Sequence, residues 1–148
     1  MVAIIELDFF KAEHAVLLDL SAAMLAVMDG EPAQIVRLRS RMSRVLVAHL
    51  AKEDDHLYPA LRRSPQAATA LCAARFEAEM GDLAKIWLTM MRDWPDERIL
   101  RDLHGFAHIM RPILVALERR IHSEEQELYP LCMTVWDDDD AQHRGAAA

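Results

Sequence analysis

The chain has 148 residues, 53% of them apolar, and a formal net charge of −7. That length suits one domain able to bury roughly two thirds of its unfolded surface. The acidic balance argues against nucleic acid, whose phosphates call for a basic face, and no run is long and charge-free enough to span a bilayer.

The opening MVAIIELDFF carries two acidic residues and no basic segment, unlike a signal peptide. Cys72 and Cys132 lie far apart without metal-type spacing, which suits a reduced, cytoplasmic protein. With four glycines and scattered β-branched residues, the pattern is helical throughout. Helix 1 is expected over Leu7–Met28, with Leu7, Phe10, His14, Leu17, Ser21 and Met24 on one stripe. Asp29-Gly30 ends it, the glycine supplying a left-handed residue. Pro32 opens helix 2 as a first helical residue, and this helix runs to about Leu61. Its basic residues from Arg37 to Arg44 read as a solvated face.

Helix 2 carries the most informative stretch, HLAKEDDHLYP from His49 to Pro59. His49, Glu53 and His56 interrupt an apolar stripe of Ile35, Leu38, Met42, Val45 and Leu46, so the polar groups should be buried with it. A buried imidazole or carboxylate must be paired or bind something. A His and a Glu four residues apart can aim at one point, as a metal ion requires.

Ser64-Pro65 signals the next helix, serine as cap and proline after it. Helix 3 then extends to about Arg92 along Cys72, Phe76, Glu79 or Met80, Leu83, Trp87 and Met90. Trp94-Pro95-Asp96 breaks the chain again. Helix 4 reaches about Tyr129 along Leu103, Phe106, Met110, Ile113, Leu117, Ile121, Glu124 and Leu128, with Pro112 expected to kink or split it. Four long helices with short connections make an up-down-up-down antiparallel four-helix bundle the economical all-α architecture. It should occupy residues 1–135, with an acidic, frayed tail over 136–148.

Residues 116–131 repeat residues 45–60 without a gap: Glu124 falls on Glu53, Leu128-Tyr129-Pro130 on Leu57-Tyr58-Pro59, and Arg120 on His49. Glu13-His14 is echoed by Glu79-Met80. The chain reads as a duplicated two-helix unit, with carboxylates in both halves and histidines concentrated in the first.

These residues resemble the hemerythrin-like, HHE cation-binding family. The resemblance covers about Asp8 to Leu131 and is most specific in His49–Pro59 and Glu124–Pro130. It implies a four-helix bundle with a non-haem di-iron site: one His on helix 1, His-x-x-x-Glu on helix 2, one His on helix 3 and His-x-x-x-Glu on helix 4. On that pattern His14, His49, Glu53 and Glu124 are the metal ligands. Met80 and Arg120 stand where two histidines are missing, so at most one metal is expected. Arg120 could replace the second ion by pairing with Glu124, Glu53 or Glu79, or could snorkel to solvent from the edge of the stripe.

Plainer readings stand beside these. His14 alone could be a satisfied core histidine, and a buried hydrogen bond would explain His49 with Glu53. Glu53-x-x-His56 fits the ferritin-like ligand pair, but helix 4 offers no second copy. His104, His108 and His122 fall on the stripe opposite Arg120 and read as surface or interface groups. The nine methionines read as core packing. No nucleophile sits beside a base and no Gly-rich phosphate loop is present, so enzymatic activity has no support. Two functions follow as expectations: a module binding non-haem iron and sensing or storing it, or sensing O2 or NO; and a metal-free bundle acting as an interaction or regulatory module. A homodimer is compatible with either.

Overall fold

The structure, a computed structural model, describes residues 4–132, with side chains from Leu7 onward. The expected acidic tail and its boundary lie outside the described residues. The described chain is a helical bundle, and none of its helices is long and apolar enough to cross a membrane. The helices are α1 (Ile4–Val27), α2 (Pro32–Lys52), α3 (Tyr58–Arg62), α4 (Ala67–Met80), α5 (Leu83–Asp93), α6 (Asp96–Arg101) and α7 (Leu103–Ser123). α1 packs on α2 and α7, α2 on α5 and α6, and α5 on α7.

The whole expected stripe of α1, from Leu7 to Met24, is buried. At its end Gly30 does not adopt a left-handed conformation, since no described glycine has positive φ. The Gly30 N–H instead closes a tight turn on the Val27 carbonyl at 2.9 Å. Pro32 opens α2 as expected.

On α2 the inward line is Ile35, Arg39, Met42, Leu46, His49 and Glu53. Arg39 is therefore no part of a solvated face. Its guanidinium bonds the Trp94 carbonyl and Asp96, tying the start of α6 to α2. Arg37, Arg41 and Arg44 are exposed, as expected.

Two helices are more broken than their periodicity suggested. Ser64 does not cap the third one: its hydroxyl accepts the Gln66 N–H at 3.2 Å and the helix starts at Ala67. That helix then ends at Met80, with Gly81-Asp82 separating α4 from α5, so the stripe does not run through. The fourth stretch breaks at Asp102, whose backbone leaves the helical region (φ −143°, ψ 69°) and whose carboxylate caps α7 by accepting the Gly105 N–H. A Cβ at residue 105 would stand 2.2 Å from that carboxylate, which would have to shift to admit it. Pro112 does not split α7, which is continuous from Leu103 to Ser123.

Two π turns matter for the site. Glu53–Leu57 links α2 to α3, and Glu124–Leu128 follows α7. In each, the N–H of the motif tyrosine bonds the carbonyl of the glutamate five residues earlier, Tyr58 to Glu53 and Tyr129 to Glu124. Such a turn takes about one residue more than an α turn. Leu57 with Tyr58, and Leu128 with Tyr129, are thereby both turned inward. The same widening swings His56 out to solvent, against the expectation that it shares the buried face. The ferritin-like pairing of Glu53 with His56 is excluded with it.

The apolar core has two parts. The larger unites α1, α2, α5 and α7 around Trp87, Met42, Phe106 and Leu114. The smaller gathers Leu7, Phe10, Leu57, Tyr58, Phe76, Leu128 and Tyr129. Several methionines, including Met24, Met42 and Met110, are fully buried in the larger cluster, as their packing role requires.

Candidate metal centre

Between the two apolar clusters lies a polar layer. Along α1, His14 separates Phe10 of the smaller cluster from Leu17 of the larger. His49 and Glu53 separate Leu46 from Leu57, and Arg120 and Glu124 separate Leu117 from Leu128. Each of these five polar side chains is at most 1% exposed.

One donor atom from each of His14, His49, Glu53 and Glu124 lies within 4.8 Å of the others. His49 Nε2 meets Glu53 Oε1 across one turn of its own helix. His14 Nε2 stands 3.4 Å from Glu53 Oε1 and 3.5 Å from Glu124 Oε1. The Oε1 atoms thus face the imidazoles, and the Oε2 atoms face Arg120. Arg120 Nη2 donates to Glu53 Oε2 at 3.0 Å, and its Nε lies 3.5 Å from Glu124 Oε2. Both carboxylates therefore bridge, from an imidazole pair on one side to a guanidinium on the other.

Arg120 does not snorkel. Its head also donates to Asp54 at 2.7 Å and to the Met80 carbonyl at 3.2 Å, which belongs to the last residue of α4. Its Cζ stands 5.4 Å from the centre of the Tyr58 ring, and the Tyr58 hydroxyl donates to Glu124 Oε2 at 2.6 Å. Of the three glutamates expected as partners, Glu53 and Glu124 are engaged. Glu79 is not, and faces Arg119 instead at 3.5 Å. His104, His108 and His122 are exposed.

Four residues were not anticipated from sequence: Asp54 and Glu125, which follow the two inward glutamates, and the tyrosines of the two Leu-Tyr-Pro endings. Glu125 Oε1 lies 3.0 Å from His14 Nδ1. Their matched positions in the repeat were the available signal. The Tyr129 ring stacks on His14 with centroids 5.7 Å apart. Its buried hydroxyl has no hydrogen-bond partner, nor have Glu124 Oε1 and His49 Nδ1.

Burial sets the electrostatics of this layer. It opposes the charged form of His14, but hydrogen bonds to Glu124 and Glu53 outweigh it and raise the imidazole to about 10. Burial, reinforced by the neighbouring Glu53 charge, pushes Glu124 up to about 8. Glu53 is also penalised by burial, yet hydrogen bonds to Glu124, His14 and His49 hold it well below the usual carboxylate range.

A pH dependence follows. Between its ordinary 6.5 and about 10, His14 binds a proton in the folded chain but not in the unfolded one. Its stabilisation is fully present below 6.5 and is lost as pH rises through 10. Glu124 acts with the same sign between 4.5 and about 8. In a chelator, the urea midpoint should fall steadily from pH 6 to pH 9, each group contributing at most about 1.4 kcal/mol per pH unit. The variant His14→Leu should show a flatter profile. A parent profile flat over that range would contradict the assignment.

The family model of the hemerythrin HHE cation binding domain matches residues 6–132. The chain belongs to that family. No curated protein and no solved structure matches it. Within the hemerythrin pattern, the donor set here suits a single ion. Two imidazoles and two carboxylates offer the mixed nitrogen and oxygen ligands that first-row divalent metals accept, and Glu124 Oε1 has only its 3.5 Å contact with His14 Nε2 to exchange for one. The Oε2 side does not suit a second ion, because a permanently charged guanidinium fills it and cannot ligate.

Proposed function

We propose that this hemerythrin-family chain binds one non-haem metal ion, iron, through His14, His49, Glu53 and Glu124. Arg120 then serves as the second cation that the paired carboxylates require. The observation that carries this reading is the convergence of four buried donors within 4.8 Å. The up-down-up-down bundle expected from sequence is the arrangement in which four helices would bring these side chains to one level. Bound there, iron would supply an open coordination position for O2 or NO. The chain's own part is to hold the donors rigidly, exclude bulk water with the two apolar clusters, and fix the carboxylate orientations through Arg120 and Tyr58. We read it as a sensing or storage module rather than an enzyme, since the cluster brings no nucleophile to the donors.

A second reading, a metal-free bundle acting in protein interaction or regulation, draws on the contact of His49 Nε2 with Glu53 Oε1, which pairs these two atoms without an ion. Iron analysis of freshly purified protein, with its absorption spectrum, separates the two. On the first reading, His49→Ala abolishes iron uptake. On the second, it leaves Glu53 short of a partner and costs about 1–3 kcal/mol, with no metal content to lose. A parent chain purified under iron-replete conditions, free of metal and unable to take it up, would end the first reading.

A further inference from the structure

We propose that Glu125 is a positioning residue for His14, holding Nδ1 as an N–H so that Nε2 is presented to the ion. This rests on the one-ion reading above. Glu125 Oε1 lies 3.0 Å from Nδ1, while Nε2 points between Glu53 Oε1 and Glu124 Oε1. In an imidazole, the hydrogen bond at one nitrogen decides which nitrogen is free to ligate. Packing does not decide it here. The His14 ring is stacked on Tyr129 at an interplanar angle of 3°. A half-turn of the imidazole about its Cβ–Cγ bond preserves that plane while replacing the inward nitrogen with a carbon. The flipped ring would present a C–H to Glu125 as well as to Glu53 and Glu124, and of these contacts only the one to Glu125 remains to fix the ring once Nε2 is given to the ion.

His49 is held differently. Its Nδ1 has no hydrogen-bond partner, and the carboxylate nearest to it, Glu13, stands 3.6 Å away with its oxygen engaged by Lys52 at 2.6 Å. His49 is instead anchored by Glu53 on its own helix. Among the described residues of its own helix His14 has no inward carboxylate, and its carboxylate partners come from across the bundle. The repeat supports the assignment. Asp54, at the position matching Glu125, reaches over in the same way to Arg120. In each half, the acidic residue after the inward glutamate holds the nitrogen group across from it.

The test is cobalt(II) binding to the full chain by calorimetry, with the visible spectrum of the bound cobalt recorded alongside. Glu125 is 31% exposed, so truncation there leaves the fold intact, which a thermal melt of each variant checks. Glu125→Ala is expected to bind 10–100-fold more weakly (a rough range for such outer partners) and to alter the cobalt spectrum. Glu125→Gln keeps an oxygen that accepts the Nδ1–H, and should restore both affinity and spectrum close to the parent. Equal affinity of Glu125→Ala and parent would overturn the positioning role and leave the one-ion reading standing. If alanine and glutamine weaken binding equally, the carboxylate acts by its charge and the positioning role is again overturned. A parent chain that binds no cobalt would instead sink the one-ion reading itself, and the role of Glu125 with it.

Discussion

On the one-ion reading, combining Arg120→His with Met80→His is expected to raise the iron bound per chain above that of the parent, toward two ions. Arg120 matches His49 in the repeat, and its head reaches the backbone carbonyl of Met80, the other residue that stands where a histidine is missing. Removing the guanidinium frees the Oε2 atoms of Glu53 and Glu124, which then face two new imidazoles much as their Oε1 atoms face His14 and His49. The single change Arg120→His should give a smaller rise, because it supplies one nitrogen donor where the other half of the layer has two. Met80 is the weaker contributor on geometric grounds: it is the last residue of α4, just before the break at Gly81-Asp82, and only partly buried. Iron per chain and the absorption spectrum are the readouts. If the double variant folds and still binds no more iron than its parent, Arg120 is not a stand-in for a second ion.

Arg120→Leu is expected to destabilise the metal-free chain by about 3–5 kcal/mol, the range for removing one partner of a buried ion pair. Glu53 and Glu124 are fully buried, and leucine returns nothing to their Oε2 atoms. Asp54 is 28% exposed and can turn to water, so little of the cost arises there. The Met80 carbonyl also loses its donor at the end of α4. Urea unfolding in a chelator measures the loss. Adding a divalent ion should recover part of it, because a bound cation relieves the same repulsion between the carboxylates. A loss below about 1 kcal/mol, the scale of an ordinary solvent-exposed pair, would mean that Arg120 is not essential to the charge balance of the layer.

These two variants show where sequence reasoning reached its limit. It placed Arg120 at the position of a missing histidine, and it offered two destinations for the head group. Which one held depended on residues from two other segments. Asp54 and Glu53 come from the first π turn, and the Met80 carbonyl is available because α4 stops there. Arg39 is a similar case. Its charge suggested a solvated face, yet the helix buries it, and the Trp94 carbonyl with Asp96 supplies its partners. A long cationic side chain can end several ångströms from its own backbone, so its position on a helix does not determine its surroundings.

What the sequence determined by itself was whatever depends on helical periodicity. The helical class, the inward stripes of α1 and α7, and the burial of His14, His49, Glu53 and Glu124 all follow from apolar residues recurring at three- and four-residue steps. The repeat around the two Leu-Tyr-Pro endings marked the two glutamates as a pair. Only the tertiary structure decided the rest. It broke two long helices at Gly81-Asp82 and Asp102, and it widened the turns after Glu53 and Glu124 so that His56 left the core. It also brought Asp54 and Glu125 across the bundle to Arg120 and His14. The physical reason is that periodicity reports which face of a helix is apolar. The partner of a buried polar atom is set by which other helix stands opposite it, and at what level.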